Sequence, residues 1–365
     1  MFEEELTELG KVGLDLSDCI LSENDRTIGW LCSYVPEEII HASGFYPMRI
    51  RGRGDPIGRA DGLLHNNLCP FVRSVMDDAV EGSLEYLSGV VFANSCDAMR
   101  RLHDAWSVFL ENDMIYSLDP PKGVNGPAIA YYTDQLRDFA KALNRDSPEE
   151  INNRSLEQSI EVFNDTRMLM EKVAVLASNN SLSGHTLFNI AQMATRCRRE
   201  EFNQRLARFL DTYSDEEPVK RGVRILLAGC IIDRPDQVRL VEDVGAHVVA
   251  NELCSGSRQF DKMVRDDIDP YEALAERYIL KAPCARMTNL KDRIDYLVRL
   301  AEENNVDGVV YYIVKFCDHY MWDYPNVRVA FQEKGIPVLD VEGDYMKGSF
   351  GPLQTRIQAF VESLE

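Results

Sequence analysis

The fold of this chain is decided by the stretch Gly89-Val90-Val91-Phe92-Ala93-Asn94-Ser95-Cys96-Asp97 and by a second, similar one, Gly308-Val309-Val310-Tyr311-Tyr312-Ile313-Val314-Lys315-Phe316-Cys317-Asp318. In both, an apolar run leads into Cys-Asp and then into an amphipathic segment. The run does not alternate strictly, as is typical of parallel strands covered by helices on both faces. Each stretch therefore predicts a buried strand, a loop and a helix.

A second pair of segments repeats the correspondence in the same order along the chain. Cys32 is followed by Pro36 and Glu37, a helical pattern and Gly44, and Cys230 is followed in the same way. The matching residues after Cys230 are Pro235, Asp236 and Gly245. Two similarities in one order indicate an internal duplication. Chance likeness between common strand–loop–helix units stays open as the alternative.

The fold class predicted from these patterns is α/β, with two similar doubly wound parallel-sheet domains and a helical insert between them. At 365 residues the chain exceeds the size at which one core usually stops growing. We predict an N-terminal α/β domain over residues 1–126, a helical insert over 127–217 and a C-terminal α/β domain over 218–365. Within the insert, helical spacing of apolar residues covers 132–143, 156–176 and 186–213.

The composition excludes several functions. A formal charge of −20 would repel nucleic acid and anionic membranes over most of the surface. No run of apolar residues is long enough to span a bilayer, and the N-terminal ten residues, MFEEELTELG, are acidic where a signal peptide would be basic and then apolar. We therefore expect no nucleic-acid or membrane partner and a cytoplasmic location.

Nine cysteines need an explanation, because disulfides rarely persist in a reducing compartment. Small buried hydrophobic residues are the ordinary alternative. Four of them follow apolar strands, namely Cys96, Cys230, Cys254 and Cys317. Ligands collect at the carboxyl ends of parallel strands, where helix N-termini stabilise a thiolate, the form that binds metal.

The cysteine spacing excludes the common local metal motifs. Structural zinc sites usually have two close pairs of ligands, and no Cys-x-x-Cys occurs in this chain. The closely spaced run of a ferredoxin loop is also missing. A metal site would therefore have to be assembled by the fold from distant loops.

Two further motifs bear on phosphate binding. The sequence has no Gly-x-x-x-x-Gly-Lys-Ser/Thr, so it carries no P-loop of its own for ATP. The basic stretch 49–53, Arg-Ile-Arg-Gly-Arg, lies close to Arg59 and could receive phosphates through arginine forks. A solvated loop is the alternative, and we favour it.

Three segments of the first half and three of the second together resemble one protein family. In the first half they are Cys32-Ser33-Tyr34-Val35-Pro36-Glu37-Glu38, Asn67-Leu68-Cys69-Pro70-Phe71 and Asn94-Ser95-Cys96-Asp97. In the second they are Glu252-Leu253-Cys254-Ser255-Gly256-Ser257-Arg258, Leu274-Ala275-Glu276-Arg277-Tyr278 and Lys315-Phe316-Cys317-Asp318. They resemble the cluster-binding subunits of 2-hydroxyacyl-CoA dehydratases and benzoyl-CoA reductases, over nearly the whole chain.

This resemblance implies a [4Fe–4S] cluster held by three cysteines, for which Cys69, Cys96 and Cys317 are the first candidates. Cys32, Cys254 and Cys284 also fall in family-like motifs, and six cysteines suit two cubanes bridged by sulfide, an [8Fe–9S] cluster. Cys230 is a possible substitute in this set. Cys19 and Cys197, on predicted helices, are expected to be packing residues. Asp97 and Asp318 are expected to cap the helices that follow their cysteines.

The resemblance also implies partners and an activity. An ATP-hydrolysing iron–sulfur activator protein would deliver the electron, and the chain would form a homodimer or a heterodimer with a related subunit. We expect a low-potential reductase of small molecules of the double-cubane kind. The alternatives are a subunit of a 2-hydroxyacyl-CoA dehydratase or benzoyl-CoA reductase with one cluster and an acyl-CoA substrate, and a non-catalytic, electron-storing paralogue.

Overall fold

The computed structural model describes residues 2–112, 114–145, 147–213, 222–345 and 350–365. Within these ranges the strands form two four-stranded sheets in which all neighbours are parallel. The first sheet contains β1 (Thr27–Trp30), β2 (Tyr46–Arg49), β3 (Gly89–Ala93) and β4 (Ile115–Leu118). The second contains β5 (Val223–Gly229), β6 (Ala246–Glu252), β7 (Gly308–Val314) and β8 (Val338–Gly343).

The two sheets have the same topology. Their strand orders are β2-β1-β3-β4 and β6-β5-β7-β8, so the first strand of each half lies between the second and the third. The direction of winding therefore reverses beside β1 and beside β5, as in doubly wound folds. The predicted α/β class with two similar doubly wound sheets is confirmed, and the stretches 89–97 and 308–318 occupy equivalent places.

Thirteen helices are described. The helices of the first half are α1 (Phe2–Lys11), α2 (Glu37–Ala42), α3 (Pro70–Val80) and α4 (Asp97–Phe109). Between the sheets in sequence come α5 (Gly126–Leu143), α6 (Asn153–Ser178), α7 (Gly184–Ala194) and α8 (Arg199–Thr212). The second half has α9 (Pro235–Glu242), α10 (Pro270–Leu280), α11 (Leu290–Glu303), α12 (Asp318–Glu333) and α13 (Phe350–Glu362). No helix among the described residues is long and apolar enough to cross a membrane.

The helices α5, α6 and α7 contact elements of both sheet halves, and α8 packs on α6. Helix α5 contacts α10 and β4, α6 contacts α2 and β6, and α7 contacts α9 and β6. The structure therefore does not confirm a separate helical insert, and the predicted boundaries at 126 and 217 remain predictions. The polar run Ser214-Asp215-Glu216-Glu217-Pro218, which is typical of a linker between the predicted insert and the C-terminal domain, lies outside the described residues.

The helix predicted over 186–213 is two helices, because residues 195–198 pair with another segment. Leu21 N donates to Arg196 O at 2.9 Å, and Arg198 N donates to Cys19 O at 2.7 Å. Ile20 and Cys197 form an antiparallel bridge between these hydrogen bonds. Backbone groups used across the bridge cannot continue the helix, so the chain breaks between α7 and α8.

The two halves share a core and are joined by buried polar contacts. One apolar cluster includes Phe92 of the first sheet and Leu226 and Val310 of the second, each fully buried. Arg49 Nη2 lies 3.4 Å from Asp233 Oδ1, and both side chains are almost completely buried. Contacts of this kind fix the two sheets relative to each other near the ends of their strands.

Candidate metal centre

Five cysteines follow the carboxyl ends of strands. They are Cys32 after β1, Cys96 after β3, Cys230 after β5, Cys254 after β6 and Cys317 after β7. All neighbouring strands are parallel, so each sheet presents these ends on one edge. The predicted placement of Cys96, Cys230, Cys254 and Cys317 after strands is confirmed. Cys69 directly precedes α3, and Cys284 lies in the loop between α10 and α11.

Three of the cysteines occupy the capping position of a helix. Cys69, Cys96 and Cys317 are the N-cap residues of α3, α4 and α12. The Cys96 Sγ accepts a hydrogen bond from the Met99 backbone N–H at 3.4 Å. The expectation that Asp97 and Asp318 are the caps is wrong, because both are the first residues inside their helices. The helix N-termini therefore face the sulfur atoms directly.

Two of these loops have unusual backbone conformations. Cys32 has a φ of 81°, and Phe316, which precedes Cys317, has a φ of 63°. Residues with side chains rarely adopt this left-handed region, and they persist where the surroundings hold them in place. Such positions are frequent at functional sites.

Cys69, Cys96 and Cys317 form one electrostatic group. Burial raises the pKa of the Cys69 thiol well above its ordinary value, and the neighbouring thiols of Cys317 and Cys96 raise it further. Burial also raises the pKa of Cys96 to about 12, with Cys32, Cys317 and Cys284 adding to the effect. These thiols are close enough for the charge of one to disfavour ionisation of the next.

Cys254 interacts with Cys284 and Cys32. Burial raises the pKa of Cys254 to about 11, and Cys284 and Cys32 contribute in the same direction. Cys32 and Cys284 also act on Cys96, which belongs to the first group. The fold therefore brings all six predicted cysteines into one neighbourhood, although they come from six separate loops.

Of the three remaining cysteines, Cys230 lies next to the site, and Cys19 and Cys197 lie away from it. Cys230 is buried beside the site, and its thiol donates a hydrogen bond to the Cys317 sulfur, which lowers the pKa of Cys317. Cys19 and Cys197 are buried in a different apolar cluster, formed with α1 and α6 to α8. They are packing residues as expected. Neither lies on an α-helix, however, since Cys19 ends a short 3₁₀ turn and Cys197 lies between α7 and α8.

Four basic side chains lie near these thiols, and none of them was assigned to the site from the sequence. Arg49 and Arg258 lower the pKa of Cys254 against the effect of burial. Arg286 acts on Tyr34 together with Cys284 and Cys32. Lys281 interacts with Cys32, but burial lowers the pKa of its amine well below the ordinary value, which favours the neutral form. Of the four, only Arg258 lies in one of the cysteine-containing family motifs, so the sequence offered a signal for this residue alone.

The basic stretch 49–53 is neither a phosphate site nor a solvated loop. Arg49 and Arg51 are buried and form ion pairs with Asp233 and Glu5. Arg53 forms an ion pair with Asp78. Arg49 also donates to the Cys254 carbonyl oxygen at 3.3 Å, which ties the first sheet to a cysteine loop of the second. The favoured interpretation of this stretch was therefore wrong, because Arg49 and Arg51 are buried and Arg49 joins the two halves.

The thiol donors are of the kind that binds iron–sulfur clusters. Among the described residues, no group of three or more Cys, His, Asp or Glu side chains is gathered closely enough to hold one metal ion. In an iron–sulfur cubane each thiolate binds a different iron, so the ligands stand further apart than around one zinc ion. Half-buried thiols that repel one another as thiolates also suit a cationic metal centre, which would offset that repulsion.

Comparisons with known proteins agree with the sequence resemblance. The family model "2-hydroxyglutaryl-CoA dehydratase, D-component" matches residues 32–364. The beta subunit of (R)-phenyllactyl-CoA dehydratase from Clostridium sporogenes is 26% identical, over 93% of this chain and 92% of the relative. The beta subunit of lactoyl-CoA dehydratase from Anaerotignum propionicum is 27% identical, over 92% and 91%. A benzoyl-CoA reductase subunit from Thauera aromatica is 23% identical, over 93% and 91%.

Proposed function

Because the chain belongs to the 2-hydroxyglutaryl-CoA dehydratase D-component family, we propose that it is an iron–sulfur protein that performs low-potential reduction with an ATP-hydrolysing activator. Cys69, Cys96 and Cys317 hold one cubane. Cys32, Cys254 and Cys284 hold a second, as in a double-cubane [8Fe–9S] protein that reduces small molecules. When bound, such a cluster supplies one-electron transfer at low potential.

The observation that supports this proposal is that six half-buried thiols from separate loops lie in one neighbourhood. The pKa of Cys69 is raised by burial and then by Cys317 and Cys96, and that of Cys254 is raised by burial and then by Cys284 and Cys32. A protein with a single cubane that is held by three cysteines needs only three of these thiols.

The surrounding residues have defined tasks in this proposal. Arg49 and Arg258 place positive charge beside Cys254, and the N-terminal amides of α3, α4 and α12 face the first group. Positive charge and amide donors next to sulfur make added negative charge less costly. Arg286 holds the Cys96 loop, since its Nε donates to the Ser95 carbonyl oxygen at 3.2 Å.

Two other functions remain candidates. The relatives named as dehydratase beta subunits favour a subunit of a heterodimer with one [4Fe–4S] cluster and an acyl-CoA substrate. A non-catalytic paralogue would hold the cluster and store electrons. Each of these proposals includes a related subunit or a second copy of the chain, the activator protein and a cytoplasmic location.

The decisive experiment is iron and sulfide analysis of anaerobically purified protein. Two cubanes give about eight irons per chain, and one gives about four. The Cys284→Ser variant should lose iron and the bridged-cluster spectrum if two cubanes are present, and should keep about four irons if there is one. The Cys19→Ser variant is the control and should keep its full iron content. A colourless anaerobic preparation with stoichiometric zinc would refute the proposal.

A further inference from the structure

Cys284 is the one proposed ligand that neither follows a strand nor caps a helix. It lies in the loop between α10 and α11, and its side chain is half-buried. The Cys284 Sγ lies 3.7 Å from the hydroxyl oxygen of Tyr320. Because sulfur is larger than oxygen, this distance suits a hydrogen bond. Tyr320 is thus the side chain that can hold the Cys284 sulfur in place.

The hydrogen bond has a defined direction when Cys284 binds iron. Arg258 Nη1 donates a hydrogen bond to Tyr320 Oη at 2.8 Å. A guanidinium can only donate, so it occupies a lone pair of the phenol oxygen and leaves the O–H proton free. A cysteine that binds metal is a thiolate and has no proton to give. The Tyr320 hydroxyl is therefore the donor, and the Cys284 sulfur is the acceptor.

A buried network of charges holds the Tyr320 hydroxyl in this position. Arg258 is 1% exposed and forms an ion pair with Glu252. Arg293 Nη1 lies 2.9 Å from the same Glu252 oxygen, and Arg293 Nε lies 2.8 Å from Asp323 Oδ2. The Arg293 Cζ is also 5.3 Å from the centre of the Tyr320 ring. If Tyr320 turned away, Arg258 would lose a buried acceptor, which is costly in such a network.

Tyr320 also lies beside a ligand of the first proposed cubane. It is the third residue of α12, whose N-cap is Cys317. Its backbone N–H is one of the amides that a helix leaves free at its start, and it interacts with the Cys317 sulfur. One residue therefore reaches sulfur atoms of both proposed cubanes, with its backbone at Cys317 and its side chain at Cys284.

We propose that Tyr320 is a positioning residue of the cluster site, whose hydroxyl, held by Arg258, donates a hydrogen bond to the Cys284 sulfur and makes the cluster easier to reduce. The inference rests on the proposed function, because it requires Cys284 to bind iron. A hydrogen bond to a ligand sulfur withdraws negative charge from the cluster, and the reduced cluster carries more of that charge than the oxidised one. Tyr320 therefore raises the reduction potential.

The test is the Tyr320→Phe variant in an anaerobic redox titration of the bound cluster, followed by EPR spectroscopy. The ratio of reduced to oxidised cluster at a fixed potential should fall about fivefold, the effect of one hydrogen bond. For one electron this is a shift of about 40 mV to more negative potential. The iron content should stay the same. Resonance Raman spectra of the oxidised cluster give a second readout, because loss of the hydrogen bond should raise an Fe–S stretching frequency.

Tyr311→Phe is the matched control. Tyr311 is fully buried, and its Oη accepts a hydrogen bond from Arg293 Nη2 at 3.4 Å and donates one to Asp323 Oδ2 at 2.5 Å. This variant, like Tyr320→Phe, removes a buried hydroxyl to which an arginine donates, but the acceptor is a carboxylate instead of a cysteine. It should lose stability and keep the reduction potential of the unmodified protein.

A second variant keeps the test decisive if Tyr320→Phe does not fold. Replacing Tyr320 by 3-fluorotyrosine keeps the shape and the contact with Arg258 and strengthens the O–H donor. It should therefore raise the reduction potential and lower the Fe–S frequency.

The outcomes for this proposal and for the proposed function can be told apart. Equal reduction potentials in the two Tyr320 variants and in Tyr311→Phe, with the cluster present, would overturn the role of Tyr320 alone. Full iron content in Cys284→Ser would also overturn it and would leave a protein with one cubane. Unmodified protein without iron would refute the proposed function itself, and the role of Tyr320 with it.

Discussion

Removing the charge of Asp233 should strongly destabilise the protein, because this carboxylate neutralises a buried arginine between the two halves. Asp233 is fully buried, and its Oδ1 lies 3.4 Å from Arg49 Nη2. Its Oδ2 accepts a hydrogen bond from Tyr345 Oη at 2.7 Å. Asp233 raises the pKa of Arg49 against the effect of burial, so the guanidinium stays charged. Asp233→Asn keeps an acceptor for Tyr345, removes the charge and turns an amide NH2 towards Arg49.

The expected loss is about 3–5 kcal/mol in the free energy of unfolding, the usual cost of leaving one partner of a buried ion pair uncompensated. Urea unfolding followed by tryptophan fluorescence is a suitable assay, since Arg49 lies 5.7 Å from the centre of the Trp30 ring. The matched control is Asp134→Asn, which removes an exposed partner of Arg137 and should cost less than about 1 kcal/mol.

A double variant separates charge from packing. In Arg49→Met/Asp233→Asn neither charge of this pair is left without its partner, so the loss should be clearly smaller than the sum of the two single losses. An Asp233→Asn variant that unfolds at the same urea concentration as Asp134→Asn would refute the reasoning. So would strictly additive losses in the double variant.

Three further predictions concern a cysteine, a glycine and a histidine. Cys317→Ser should lower the iron content because an alkoxide is a far less available ligand than a thiolate. Cys197→Ser is the control and should keep the iron content unchanged. Equal iron in the two variants would contradict the assignment of Cys317 as a cluster ligand. Gly229→Ala should destabilise the fold by about 2 kcal/mol or more in urea, because its φ is +121° and its new Cβ would lie 2.1 Å from a carbonyl oxygen of the neighbouring strand. Gly10→Ala, with open space around it, should cost nothing measurable. Burial and a nearby arginine lower the pKa of His185 to about 4. Between pH 6.5 and pH 4 the unfolded chain therefore takes up a proton at this histidine that the folded chain does not. The free energy of unfolding should fall by about 2–3 kcal/mol over this range. A His185→Gln variant that unfolds with the same pH dependence as the unmodified protein would disprove this.

Local patterns determined much of the fold. The unalternating runs 89–93 and 308–314 became central strands because a strand buried on both faces needs apolar residues at every position. The placement of Cys96 and Cys317 after those strands followed from the same pattern. The family resemblance rested on motifs that are contiguous in sequence, which is why one chain sufficed to recognise it.

Local patterns failed where a distant segment decides the structure. The helix predicted over 186–213 is interrupted because residues 195–198 pair with residues 19–21. Helical spacing of apolar residues cannot report this competition for backbone hydrogen bonds. The prediction for the basic stretch at 49–53 was wrong for a similar reason, since the carboxylates that form ion pairs with its arginines come from elsewhere in the chain.

The candidate site could likewise be predicted only in part from local sequence patterns. The sequence identified which cysteines belong to the family motifs, because each motif is short. The proximity of the thiols and the basic side chains beside them depend on contacts such as that between Arg49 and Cys254, which are 205 residues apart. Burial and electrostatic interaction depend on the distance between groups in space, which cannot be calculated from their separation along the chain. Only the tertiary structure could therefore decide which of these groups face one another.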